Sequence, residues 1–181
     1  MRAQFLAVLA MFFVFAQPAA AIGPQLGVRV GTGTVGWEDA SRTPDGQVFS
    51  VGPAARLNLG VMTLEGDLLW NRTRVGEGQL DRIALPLLGK ANFTLVPGLA
   101  RLSVGTGVEP RWLVGAKTAG VDVSPGFSDT TWYLPVVAGL DLDLRVAEAS
   151  IEFRYEYQLE PDQLDTTARA HQLLVMAGLF F

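Results

Sequence analysis

Eight segments of the chain alternate apolar and polar residues with a period of two, and each is 11 to 16 residues long. Residues 99–114 show the pattern most clearly, because Leu102 and Val104 alternate with Arg101 and Ser103. Successive side chains of a β-strand point to opposite faces, so the pattern predicts strands with one apolar and one polar face. The segments are residues 25–35, 49–60, 62–74, 82–93, 99–114, 131–142, 148–158 and 170–181.

The connections between these segments alternate in length. The second, fourth and sixth are a few residues each, whereas the others are longer and polar, at residues 36–48, 75–81, 115–130 and 159–169. Short periplasmic turns and longer external loops are typical of bacterial outer-membrane barrels. In lipid, only helices and closed barrels satisfy every backbone hydrogen bond. The sequence therefore predicts an all-β, eight-stranded antiparallel up-and-down transmembrane β-barrel.

The start of the chain has the composition of a signal peptide. Arg2 precedes an apolar run over residues 5–16, and the small residues Ala19, Ala20 and Ala21 follow it. The run is about 12 residues long, whereas a membrane-spanning helix needs roughly 20. We expect residues 1–21 to be a signal peptide cleaved near Ala21, and residues 22–181 to be the barrel domain. Export through this leader predicts a location in the bacterial outer membrane.

Composition narrows the functional classes. The chain has no Cys, so disulfides and thiol chemistry play no part in its function. Its 14 Lys and Arg against 18 Asp and Glu give a formal net charge of −4, which argues against a nucleic-acid partner. Hydrophobic residues make up 49% of the chain, so the apolar surplus must be spread over the short strands.

The polar faces of the predicted strands carry equal numbers of bases and acids. The bases are Arg29, Arg56, Lys90, Arg101, Arg111 and Arg154, and the acids are Glu65, Asp67, Glu109, Asp141, Glu152 and Glu156. Charges enclosed in a narrow lumen must be paired, because desolvation of an unpaired charge costs several kcal/mol. An eight-stranded barrel is about wide enough for side chains to fill it. We therefore predict a charge-paired, closed lumen, with a narrow charge-selective channel as the alternative.

Aromatic residues lie near both ends of the predicted strands. Trp70, Trp112, Trp132 and Tyr157 fall near the outer ends, and Phe93 and Phe181 fall near the inner ends. Aromatic girdles mark the two membrane interfaces of transmembrane barrels. We interpret these six residues as interface aromatics.

Three short motifs resemble those of a known family. They are the Pro-containing strand at residues 83–90, the glycine-rich segment at residues 103–108 and the terminal strand at residues 177–181. In these motifs the chain is similar to the porin-like outer-membrane β-barrel domain family, the small OmpA-type or OmpX-type barrels. The resemblance implies an outer-membrane location. It also implies that the terminal aromatic, Phe181, is an assembly signal read by the barrel-assembly machinery.

Candidate catalytic and metal-binding residues are few. His171 is the single His, and its sequence neighbours Ala170 and Gln172 provide no Ser nucleophile beside it. The carboxylate pairs Glu65 with Asp67 and Glu152 with Glu156 share strand faces, but inward charges are ordinary in a barrel. The sequence predicts no enzyme activity and no cofactor or metal.

A soluble alternative stays open at this level. A lipocalin-like periplasmic barrel that binds an apolar ligand would point its apolar faces inward.

The long connections are acidic, with Glu38, Asp39, Asp45, Glu77, Asp122, Asp129, Glu160, Asp162 and Asp165. We expect a structural or surface-interaction role through these external loops. The expected partners are outer-membrane lipid, lipopolysaccharide and an unidentified surface ligand.

Overall fold

The computed structural model of the protein describes residues 23–37, 46–161 and 169–181. The predicted signal peptide lies outside these residues. The described chain forms eleven strands and a 3-10 turn at Ser124–Gly126. The strands are β1 (Gly23–Trp37), β2 (Gly46–Asn58), β3 (Met62–Asp67), β4 (Leu69–Val75), β5 (Gly78–Ala84), β6 (Leu87–Val96), β7 (Ala100–Thr118), β8 (Val121–Asp122), β9 (Thr130–Asp143), β10 (Glu148–Gln158) and β11 (Ala170–Phe180). No helix of the described residues is long and apolar enough for a membrane crossing.

The strands pair antiparallel in a ring. β1 pairs with both β2 and β11, and β11, β10, β9 and β7 follow one another around the sheet. β3 and β4 lie end to end against β2, while β5 and β6 lie end to end against β7. With each interrupted pair counted once, the described ring has eight antiparallel members and β8 extends one connection. The all-β, up-and-down fold predicted from the alternation is confirmed.

Prolines explain the two interruptions. The first is at Leu68, whose amide donates to the Pro53 carbonyl over 2.9 Å. The second is at residues 85–86, where the Leu85 amide donates to the Pro110 carbonyl over 3.0 Å. Proline has no N–H, so each of these cross-strand pairs lacks one ladder donor. The strand directions nevertheless continue across both breaks.

The strands are longer than predicted at the end where the long connections lie. Residues 75–81 are not a loop: β4 and β5 pair as far as Val75 and Gly78, and Gly76 has a φ of +56° in the tight turn between them. The outward residues here are polar and include Arg72, Arg74 and Asp81, so a search for apolar periodicity misses the alternation. β7 likewise continues to Thr118, and β8 folds back on it with Asp122 opposite Lys117.

The two faces of the ring differ in chemistry as the sequence predicts. On β10, Ile151 and Phe153 are 50% and 58% exposed, whereas Glu152 and Arg154 are 2% and 0% exposed. A compact apolar cluster also occupies the interior near the long connections; it comprises Val35, Val48, Leu69, Ala84, Ala170, Leu174 and Met176. The charged interior and apolar exterior are the reverse of a water-soluble fold.

Candidate functional site in the ion-paired interior

Glu65 of β3 gathers three bases from different strands. Its carboxylate accepts from Arg29 Nη2 over 2.9 Å, from Arg56 Nε over 2.7 Å and from Lys90 Nζ over 2.8 Å. Arg29 Nη1 donates to Glu152 Oε1 over 2.8 Å, and Lys90 also pairs with Glu152. Arg29 therefore links β3 to β10 across the inside of the ring.

A second group lies toward the chain termini. Arg56 Nη2 lies 3.2 Å from Asp141 Oδ1, and Arg56 also pairs with Glu148. Arg101 pairs with the same Glu148, and its side chain is 26% exposed. The Arg56 guanidinium carbon lies 3.6 Å from the centroid of the Phe180 ring, within cation–π distance. An aromatic ring and three carboxylates, those of Glu65, Asp141 and Glu148, thus hold this arginine in place.

Arg154 lies in the middle of the interior, between the groups around Glu65 and Arg56 and a third group around Arg111. Its Nη2 lies 3.1 Å from Asp67 Oδ2 and 2.8 Å from Glu152 Oε1. Its Nη1 lies 3.9 Å from both Glu109 Oε2 and Glu156 Oε1. The side chain has 0% exposure. Its Nη2 also lies 4.0 Å from Glu65 Oε1, so five carboxylates surround one buried guanidinium.

Arg111 is the basic residue of the third group. Its Nε donates to Glu109 Oε1 over 2.5 Å, its Nη1 donates to Gln172 Oε1 over 2.9 Å, and it pairs with Glu156. Its guanidinium carbon lies 3.9 Å from the Tyr133 ring centroid. A cavity of about 20 Å³ beside Arg111 has room for about one water molecule.

The structure places all twelve predicted charges on the inward face, with Arg101 the most exposed of them. Two further charges lie inside that the sequence reasoning missed, Arg82 and Glu148, at 3% and 1% exposure. Arg82 Nη1 donates to Thr131 Oγ1 over 3.0 Å. The strand alternation could have found both, since Glu148 shares the parity of Glu152, and Arg82 that of Lys90. Seven bases then balance seven acids among the described interior residues.

The predicted interface aromatics divide between the two ends of the ring. Trp70 and Trp112 are both in register with Ile83, so they lie in one row, and Phe49 packs edge-on against Trp70 with centroids 6.3 Å apart. Trp112 and Trp132 are each 41% exposed, and Tyr157 is half-buried and accepts a hydrogen bond from Arg169.

At the opposite end, Phe93 is 53% exposed and the Phe181 amide donates to the Leu26 carbonyl. The assembly-signal role of Phe181 stays a prediction.

His171 lies outside the interior network, near the long connections. It is in register with Gly36 on one side and Tyr157 on the other, and its ring stacks on Tyr155 with centroids 6.3 Å apart. These cross-strand neighbours include no Ser or Thr for a nucleophile–base pair. Across the described part of the chain, no group of three or more His, Asp or Glu has metal-binding geometry.

Comparison with known proteins assigns the family. The family model described as outer membrane protein beta-barrel domain matches residues 6–181. The chain belongs to this family. The family places this outer-membrane barrel in the bacterial outer membrane. A comparison with curated protein sequences finds no match.

Solved structures of other outer-membrane barrels share the fold at low identity. Neisserial surface protein A is 13% identical with a TM-score of 0.62, covering 86% of this chain and 97% of its own. The outer membrane enzyme PagL is 11% identical with a TM-score of 0.59, covering 84% of this chain and 97% of its own. Ail of Yersinia pestis, in complex with the heparin analogue sucrose octasulfate, is 14% identical with a TM-score of 0.50, covering 88% and 99%. These likenesses concern the fold alone.

The lipocalin-like alternative does not fit the faces of this outer-membrane barrel. It requires an apolar interior, whereas the described interior holds fourteen charged side chains and the apolar residues face outward. Enclosing this many charges is tolerated because each is paired or hydrogen-bonded.

Proposed function

We propose that the protein is a non-enzymatic outer-membrane barrel whose closed interior makes it a structural or surface-interaction protein. The observation that carries the proposal is the balance of the interior, in which seven bases and seven acids crosslink strands on opposite sides of the ring. A bridge such as Arg29 to Glu65 and Glu152 fills the cross-section with paired side chains. Such pairs leave little free charge to attract a permeating ion.

A barrel that neither transports nor catalyses would act through its outer connections. The short turns, the start of β1 and the end of β11 all lie at one end of the ring, which is the periplasmic end in barrels of this kind. The opposite end carries Glu77, Asp122, Asp129 and Glu160 among its described residues. The Ser124 hydroxyl and backbone amide donate to Asp122, and these bonds lower the pKa of its carboxyl, which is therefore ionised at neutral pH. Acidic loops suit contacts bridged by cations.

Current recording in planar lipid bilayers tests the closed interior. We expect the purified, folded barrel to give no steady single-channel current, because the paired side chains block the cross-section. A double variant, Arg111→Ala with Glu156→Ala, removes one buried pair together but leaves the Arg29 and Arg154 bridges across the interior, so it should also give no steady current. Discrete, reproducible currents from the unaltered protein would contradict the proposal and favour a narrow charge-selective channel.

A further inference from the structure

A groove on the outer wall of the barrel lies outside the interior network. It has a volume of about 310 Å³ and is lined by residues of β1, β2 and β4, among them Phe49, Trp70, Arg72 and Arg74. Phe49 and Trp70 form its apolar half, where Phe49 is 42% exposed. The two arginines form the other half, on the side of the long connections.

Strand geometry sets the depth of these arginines. Arg74 follows Trp70 by four residues on one strand, which is about 13 Å along the chain at roughly 3.3 Å per residue. Trp side chains occupy the interface between hydrocarbon and headgroups. Arg72 and Arg74 share the outward face with Trp70, so both guanidinium groups lie at headgroup level.

The two arginines of the groove differ in the ion pairs that they already form. Arg72 donates to Asp81 through Nε over 2.7 Å and Nη2 over 3.2 Å, and its guanidinium carbon lies 4.5 Å from the Trp70 ring centroid. Arg74 is exposed, and within the described part of the chain no carboxylate forms an ion pair with it. Arg72 is therefore held rigidly, whereas Arg74 is available to an external anion.

A further cation lies nearby on the same face. Gln79 is opposite Arg74, and Lys117 is opposite Gln79, so Lys117 is two strand spacings from Arg74, about 10 Å. Asp122 is opposite Lys117 and offsets part of its charge. With Glu77 in the turn beyond Val75, the described charges at this end of the wall are three bases, Arg72, Arg74 and Lys117, and three acids, Asp81, Asp122 and Glu77. The groove itself holds Arg72 and Arg74 against Asp81, so a positive surplus is local to the groove, at the depth where lipid phosphates lie.

We propose that this groove binds the phosphorylated headgroup of an outer-leaflet lipid, the lipid A moiety of lipopolysaccharide. Arg74 is the phosphate ligand, Arg72 supports it, and Phe49 and Trp70 contact the first carbons of an acyl chain. Guanidinium groups bind phosphate through charge-assisted hydrogen bonds, and the groove continues the apolar wall that lipid already covers. The inference rests on the proposed function only in taking the long connections as the outer end.

Binding of defined lipids to the folded full chain in detergent tests the site. The probes are lipid A with its phosphates, dephosphorylated lipid A and inorganic phosphate, with Trp fluorescence as the readout. We expect Arg74→Gln to bind phosphorylated lipid A about tenfold more weakly than the unaltered protein, because the variant loses one charge-assisted hydrogen bond. Arg145→Gln, an exposed arginine at the opposite end, is the matched control and should leave the affinity unchanged. A heat-dependent gel shift confirms that each variant is folded.

Three results would overturn the lipid A site. The first is equal affinity of Arg74→Gln and the unaltered protein, and the second is equally tight binding of dephosphorylated lipid A. The third is displacement of lipid A by millimolar inorganic phosphate alone, because the ligand would then be free phosphate. A conducting barrel would refute the closed interior without altering this affinity comparison, so the two failures are distinguishable.

Discussion

Replacing Arg154 by Met is expected to lower the free energy of unfolding by about 3–5 kcal/mol. Five carboxylates lie within 4.0 Å of the guanidinium, so its loss leaves buried negative charge without its shared partner; they belong to Glu65, Asp67, Glu109, Glu152 and Glu156. Breaking a buried ion pair from one side carries a penalty of about this size. Urea unfolding of the barrel in lipid vesicles, followed by Trp fluorescence, measures the change.

Two comparison variants show whether the loss of stability comes from the buried ion pairs of Arg154. Arg145→Met removes the same charge from an exposed turn and should change the stability by less than about 0.5 kcal/mol. Arg154→Lys keeps the charge but loses the forked geometry, and should fall between the two. A stability of Arg154→Met equal to that of Arg145→Met would show that the interior is wet enough to screen these charges.

Replacing Gly107 by Ala is expected to destabilise the barrel by about 3 kcal/mol. A Cβ atom at this position would lie 1.9 Å from the carbonyl oxygen of Leu87 on the neighbouring strand. The clash is with backbone, so β6 and β7 would have to separate, and overpacking of this kind costs about 1–3 kcal/mol. The same urea titration measures it.

Gly89 provides the matched control on the adjacent strand. A Cβ atom there meets nothing within 4 Å, so Gly89→Ala should be neutral or stabilising by up to about 1 kcal/mol through the unfolded chain. If the two alanine variants unfold at the same urea concentration, the close approach of β6 to β7 is not a feature of the folded protein.

The fold could be predicted from the sequence because lipid imposes apolar residues at most outward positions within the membrane. Alternation such as Ile151, Glu152, Phe153 and Arg154 is then uninterrupted, and β10 has the predicted limits. The signal weakens beyond the membrane, where the outward residues of a strand are polar as well. The extension of β4 and β5 to the turn at Gly76 was missed for that reason.

The site was predictable in composition but not in its connections. Parity along the strands gives the inward charges, and only Arg82 and Glu148, the first residues of two predicted segments, were not identified. Which base meets which acid depends on strand tilt and register, since Arg29 of β1 reaches Glu65 of β3 and Glu152 of β10. The outer groove was missed because Arg72 and Arg74 belong to neither the interior nor a loop.

Fluorescence quenching by nitroxide lipids tests the orientation of the two faces most directly. The chain has no Cys, so Ser103→Cys and Val104→Cys each provide a single attachment site for bimane before folding into vesicles. Ser103 is 2% exposed and faces inward, whereas Val104 is 40% exposed and faces outward. We predict strong quenching at Val104→Cys and weak quenching at Ser103→Cys. Strong quenching at Ser103→Cys with little at Val104→Cys would contradict the charged-interior barrel.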